Sequence, residues 1–262
     1  MGQYDFSGQS AIVTGSSRGI GAAIAVELAA CGARLTLTGR DEAALADVAA
    51  AVETASGNKP AIVACDLREA PAAAKVVEAA VKAHGGVDIL VNNAGATKRG
   101  DFLALTDEDV LDGFALKFHG AVRMTRAAWP HLVASKGKLV NIVGIGSLTP
   151  SAEFTIGGPV NSALINFTKA IADRGLKEDV RVNAVNPGHI VTDRLRRRVE
   201  TLAKAEGISY AEAEEVSRRE HGILRFGTPE EIAHLVSFLC SDRATYIHGS
   251  TIEIDGGATK GL

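Results

Sequence analysis

The stretch TGSSRGIG, residues 14 to 21, follows a short β-branched run, SAIVTG, and leads straight into the helix-prone GIGAAIAVELAACG. Gly15, Gly19 and Gly21 let the backbone turn tightly and approach a ligand closely. The helix start behind them offers unpaired N–H groups and the positive end of its dipole. A strand, a glycine turn and a helix in that order form a cradle for a pyrophosphate, although the turn alone is a weak signal. Its weight depends on whether the rest of the chain repeats the same unit.

It does. The runs SAIVTG, RLTLTG, PAIVACD, VDILVNN, GKLVNIV, RVNAVNP and STIEIDG alternate with longer Ala-rich helical stretches. Strands so continuously apolar are covered on both faces, and their alternation with helices implies parallel crossovers. The pattern predicts an α/β fold: a single Rossmann-type, doubly wound parallel sheet of about seven strands, helices on both faces, and a ligand at the carboxyl ends of the strands. A chain of 262 residues with 46% hydrophobic content is sized for one large domain, assigned to residues 1–262.

One segment breaks the rhythm. From Asp193 to Arg225 the chain reads DRLRRRVETLAKAEGISYAEAEEVSRREHGILR, charged and helix-prone, before a helix that opens at Thr228-Pro229 with Glu230 and Glu231 behind it. Placed where a doubly wound sheet opens its crevice, this segment reads as a helical lid over a substrate. Its four arginines, Arg194, Arg196, Arg197 and Arg198, read as a solvated face.

A formal net charge of −3 argues against nucleic-acid and membrane partners. Cys31, Cys65 and Cys240 are widely spaced, with no C-x-x-C and no nearby His at ligand spacing. They read as small apolar side chains in a reducing compartment, with no metal site. The opening MGQYDFSGQSAIVTG has no basic region followed by a long apolar run, and the expected location is the cytoplasm. The second strand ends at Gly39-Arg40, where a dinucleotide fold usually places a carboxylate for the ribose 2′-hydroxyl. A guanidinium in that place, with Arg18 in the glycine turn, suits a 2′-phosphate and predicts NADP(H) over NAD(H).

T-G-x-x-x-G-x-G at 14 to 21, Asp66 after the third strand, Asn92-Asn93-Ala94-Gly95 after the fourth, Asn186-Pro187-Gly188 with Thr192 after the sixth, and the closing Asp255-Gly256-Gly257 form a jointly specific set. Together they resemble the short-chain dehydrogenase/reductase family over nearly the whole chain. The resemblance implies an oxidoreductase acting on a small carbonyl or alcohol substrate. It assigns the cofactor to Gly15, Ser17, Arg18, Gly19, Ile20, Gly21 and Arg40, to Asp66 and Leu67 near the adenine, to Asn93, Ala94 and Gly95 along the ribose side, and to Pro187, Gly188, Ile190 and Thr192 near the nicotinamide. It also implies a homo-oligomer, tetramer or dimer, through long helices that here carry AVRMTRAAW and NSALINFTKAIA.

The same resemblance fails at the chemistry. In the family a Ser ends the fifth strand, a Tyr and a Lys four positions apart open the next helix, and an Asn lies on the helix before. Leu164, Phe167, Thr168 and Lys169 fix the register and put Gly157 at the Tyr position, Asn161 at the Lys and Gly144 at the Ser, while FALKFHGAV puts Lys117 at the Asn. No shift of register restores a phenol, because the tyrosines are Tyr4, Tyr210 and Tyr246. The exchanges empty volume beside the nicotinamide and move a cation to the opposite wall. Lys117 and His189 are therefore the candidate proton-transfer residues, an imidazole being suited to that task near neutral pH. Three readings stand: an NADP(H) oxidoreductase with non-standard catalysis, an inactive nucleotide-binding sensor or scaffold, and a lyase or isomerase in the emptied pocket.

Overall fold

The structure is a computed structural model that describes residues 4–261; residues 1–3 and 262, the ends of the domain assigned from sequence, lie outside it. Each run read as a strand is one: β1 (Ser10–Thr14), β2 (Arg34–Gly39), β3 (Ala61–Ala64), β4 (Ile89–Asn92), β5 (Lys138–Ile142), β6 (Arg181–Pro187) and β7 (Thr251–Ile254). They pair in parallel throughout, in the order β3-β2-β1-β4-β5-β6-β7. The order reverses between β1 and β4, which opens a crevice at their carboxyl ends.

Nine α-helices lie among the described residues: α1 (Gly19–Ala30), α2 (Glu42–Ser56), α3 (Ala72–His84), α4 (Asp107–Phe114), α5 (Ala121–Ser135), α6 (Gly157–Glu178), α7 (Asp193–Glu206), α8 (Tyr210–Glu220) and α9 (Pro229–Cys240). β1 and β4 are buried at every position because helices press on both faces. Ala11, Val13, Ile89 and Val91 face Ile24, Leu28 and Val236 of α1 and α9. Ile12 and Leu90 face Val76, Met124 and Leu132 of α3 and α5. No helix among the described residues is long and apolar enough to cross a membrane.

Two devices fix the carboxyl-end region. The Asn92 amide donates to Thr125 Oγ1 at 3.1 Å and to Asn141 Oδ1 at 3.0 Å, and Asn141 donates to Thr168 Oγ1 at 2.9 Å, tying β4, β5, α5 and α6 together inside the core. The segment after β6 folds as α7 and α8 around Leu195, Val199, Ala213, Ile223 and Phe226. It returns to its own start: Val191 N–H donates to Gly227 O at 2.8 Å and Gly227 N–H to His189 O at 3.0 Å. A capping box then starts α9, with Glu231 accepting from Thr228 N–H at 2.8 Å and Pro229 in the first turn, as its sequence suggests.

Candidate active site

The glycine turn is held from behind. Thr14 Oγ1 accepts from the backbone N–H groups of Asn93 and Ala94 at 2.9 and 3.0 Å. The Asn93 amide donates to Thr14 O and Gly15 O at 2.9 and 3.1 Å, so this side chain braces the turn. Gly15 has φ +63°, and a Cβ there would meet Ala94 Cα at 2.8 Å. Side chains cap the starts of α2, α4, α8 and α9, through Asp41, Thr106, Ser209 and Thr228, but Arg18 leaves the first turn of α1 uncapped. Uncapped N–H groups behind a turn this tightly packed fit a pyrophosphate.

The other residues assigned to the cofactor follow the carboxyl ends of β2, β3 and β6. Gly39 leaves room for the Ser17 hydroxyl, which a Cβ would meet at 3.3 Å. Arg18 and Arg40 are exposed, and Arg40 lies 3.9 Å from Asp66, whose carboxylate is held more closely by Arg68 at 2.8 Å. Leu67 is buried beside it. On the opposite side, β6 ends at Pro187, Gly188 N–H donates to Ile254 O at 3.0 Å, and Ile190 is buried against Gly227. Thr192 comes across to the glycine turn, since a Cβ on Gly19 would meet its methyl at 3.3 Å. The two groups follow strands on either side of the break between β1 and β4.

The chemistry end differs from the expectation of emptied space. A methyl group on Gly157 would overlap the ring of Phe154, and one on Gly146 would meet that ring at 2.5 Å. Phe154, on a short turn ahead of α6, has filled the volume over Gly157. Asn161 is buried with its Oδ1 unpartnered, and its Nδ2 is 3.2 Å from where a Gly144 side chain would begin. Gly144 takes φ +139°, a conformation that suits glycine, and its N–H donates to Asn186 Oδ1 at 2.9 Å.

Lys117 lies in one turn of π-helix, Ala115–Gly120, between α4 and α5, a distortion often found at functional sites. Its stem runs along Gly95 and its amine donates to Val143 O, next to Gly144. Burial of the amine, with Arg194 nearby, brings its pKa from 10.5 to about 7. The residue as a whole is half-buried. His189 is stacked on His221, ring centroids 3.7 Å apart and 17° from parallel, and its Nδ1 is buried without a partner. Burial, then the neighbouring His221 and the guanidinium groups of Arg198 and Arg99, bring the His189 pKa to about 4. It is a neutral imidazole at pH 7. His119 is exposed, and Tyr210, at the start of α8, is also exposed.

The four arginines of α7 are all exposed, as a solvated face requires, but they differ in their partners. Arg196 pairs with Asp193 at 3.2 Å, but Arg194 turns into the crevice and donates to Gly95 O at 3.0 Å. Arg198, one helical turn on, faces the same way: its charge is felt at Arg99, His189 and His221.

This fold and crevice are those of known oxidoreductases. The family model described as enoyl-(acyl carrier protein) reductase matches residues 15–259. The chain is 34% identical over 256 residues to a 3-oxoacyl-(acyl-carrier-protein) reductase of Aquifex aeolicus, covering 97% of this chain and 99% of that one. Among solved structures, L-sorbose reductase from Gluconobacter frateurii, complexed with NADPH and L-sorbose, superposes with a TM-score of 0.95 at 35% identity, covering 100% of both chains. A short-chain dehydrogenase from Burkholderia cenocepacia in complex with NADP does so with a TM-score of 0.85 at 30% identity, covering 96% and 98%. The chain belongs to the short-chain dehydrogenase/reductase family.

Sequence reasoning missed Phe154, Arg99 and His221. Phe154 sits between two glycines that together make room for a ring, Gly146 and Gly157, and that pairing was the available signal. Nothing local marks Arg99 or His221, which are brought together by the return of the α7–α8 segment.

Proposed function

We propose that this chain is an NADP(H)-dependent oxidoreductase acting on a small carbonyl or alcohol substrate, with Lys117 handling the proton that a tyrosine handles in its family. The observation that carries the reading is the Lys117 amine itself, donating to Val143 O beside Gly144, with a pKa of about 7. A group with that pKa is close to evenly protonated at neutral pH, which favours proton transfer in either direction. The cofactor, when bound, supplies or accepts the hydride. Lys117 as ammonium then donates to the developing alkoxide oxygen, and as free amine takes the proton back in the oxidative direction. The neutral His189 ring, stacked on His221, shapes the neighbouring wall. Arg18 and Arg40 favour the 2′-phosphate of NADP(H), in keeping with the NADPH and NADP in the two superposed structures.

Replacement of the family's four catalytic positions is part of this reading. α6 begins at Gly157 and sets Asn161 against Gly144, which supports the register drawn from sequence. We also read residues 1–262 as one cytoplasmic domain whose segment 193–225 acts as a lid, assembled as a homotetramer or dimer. The exposed Phe102, Leu103 and Leu111, on and just before α4, support assembly.

One observation favours a second reading, a nucleotide-binding protein without turnover: Phe154 fills the space from which the family's phenol would act. The readings separate on turnover. An oxidoreductase consumes NADPH with some carbonyl compound and loses that activity on Lys117→Met; a sensor binds NADPH and consumes none.

A further inference from the structure

Arg99 and Arg198 have no carboxylate within 4 Å, and no hydrogen bond from either guanidinium is found among the described residues. Both nevertheless stand in a crowded place. Arg99 lies over the Phe154 ring, 4.3 Å from guanidinium carbon to ring centre, beside the position from which a family phenol would act. Arg198 reaches toward Arg99 and toward the stacked His189 and His221. Both arginines remain open to water while protein surrounds them, which describes the wall of a cleft.

Charge is unbalanced there. Among the described residues, Glu153 is the one carboxylate acting on Arg99 and Arg198. Arg194 adds a further positive charge against Arg99, and the two imidazoles are neutral at pH 7, their pKa values lowered by burial first. The charge of Arg18, in the glycine turn, opposes that of Arg194, which places Arg194 toward the glycine turn. That leaves Arg99 and Arg198 with an unsatisfied positive field on the substrate side of Phe154. Two guanidinium groups held in mutual repulsion beside an apolar ring form a receptor for an anionic group.

We propose that Arg99 and Arg198 bind a carboxylate or phosphate group of the substrate, so that this chain acts on an anionic carbonyl or alcohol compound. The proposal rests on the reading of the crevice as an NADP(H) site, and it departs from the neutral sugar found in the superposed L-sorbose reductase. The Phe154 ring supports the Arg99 guanidinium from below. In place of the family's phenol, the ring thus becomes a platform for substrate recognition.

The test begins with protein saturated with NADPH, so that the cofactor's own phosphate sites are filled. NADPH affinity, measured first, tests the underlying reading separately: no NADPH binding sinks that reading. With NADPH bound, calorimetry against malonate, inorganic phosphate and the neutral malonamide tests the proposal. We expect malonate or phosphate to bind at least tenfold more tightly than malonamide, and whichever anion is preferred names the substrate's charged group. Arg99→Gln and Arg198→Gln should each weaken that anion about tenfold and leave NADPH affinity within twofold, while Lys204→Gln, an equal loss of charge on an exposed part of α7, changes neither. Equal binding of malonamide and both anions overturns the proposal without any variant, as does anion binding that survives both arginine substitutions.

Discussion

The ring of Phe154 lies directly over Gly157, in the space that any side chain at position 157 would need. The two residues are therefore a matched pair: the glycine exists in a helix, where it is conformationally costly, because the aromatic ring has taken its volume. Gly157→Ala would ordinarily stabilise a helix by roughly 1 kcal/mol. Here the overlap outweighs that gain, and we expect a net loss of about 1–3 kcal/mol. Combining it with Phe154→Ala should remove the overlap, so the double variant falls short of the sum of the two single losses. Denaturant unfolding of the four proteins measures this coupling, and a Gly157→Ala variant more stable than the parent would contradict it.

Lys117 places a pH signature on stability. Its folded pKa of about 7 is below the ordinary 10.5, so between those values the unfolded chain holds a proton that the folded chain has lost. Stability from this group therefore rises with pH from about 7 to 10.5, and its cost is complete below 7. Lys117→Met removes an amine that must be desolvated. We expect the variant to be more stable by roughly 2 kcal/mol at pH 6, the gain shrinking toward zero near pH 10.5. Thermal unfolding across that range reads it directly.

On the proposed reading Arg40 meets the cofactor's 2′-phosphate from its exposed position, 3.9 Å from Asp66. Removing a charge-assisted hydrogen bond at such a site costs on the order of 1.5 kcal/mol, or about tenfold in affinity. Arg40→Ala should weaken NADPH about tenfold and NADH by less than twofold in a fluorescence titration. Equal losses for both nucleotides would remove Arg40 from 2′-phosphate recognition.

Gly15 supports the turn through a close approach to Ala94, at φ +63°. Gly15→Ala brings both a disfavoured backbone and a clash with Ala94 Cα, which belongs to another loop. We expect at least a tenfold loss of nucleotide affinity, with a fall in melting temperature, since the turn and the Asn93 brace move together.

The sheet was legible because its central strands, β1 and β4, are covered on both faces, and because short β-branched runs alternate with helical stretches along the whole chain. The glycine turn and the Thr228 box were legible because their chemistry is local. The chemistry end was half legible. The family resemblance pointed to Gly144, Gly157, Asn161 and Lys117 as the positions to inspect, but the placement of the Phe154 ring over Gly157 could not be read, because a short turn decides where that ring falls. In the same way, the run of arginines from 194 to 198 announced a charged helix, yet only the tertiary return of α8 determines that Arg198 meets Arg99 and His221 while Arg196 stays with Asp193.

The central claim is that Lys117 handles the proton, and it is tested most directly by following NADPH oxidation with a panel of neutral and anionic carbonyl compounds, parent and Lys117→Met side by side. The account predicts turnover of at least one compound by the parent, a loss of about 100-fold or more in kcat for Lys117→Met, and NADPH affinity unchanged within twofold. Turnover that survives Lys117→Met at the parental rate, or a parent that binds NADPH and oxidises it with no compound, would contradict it.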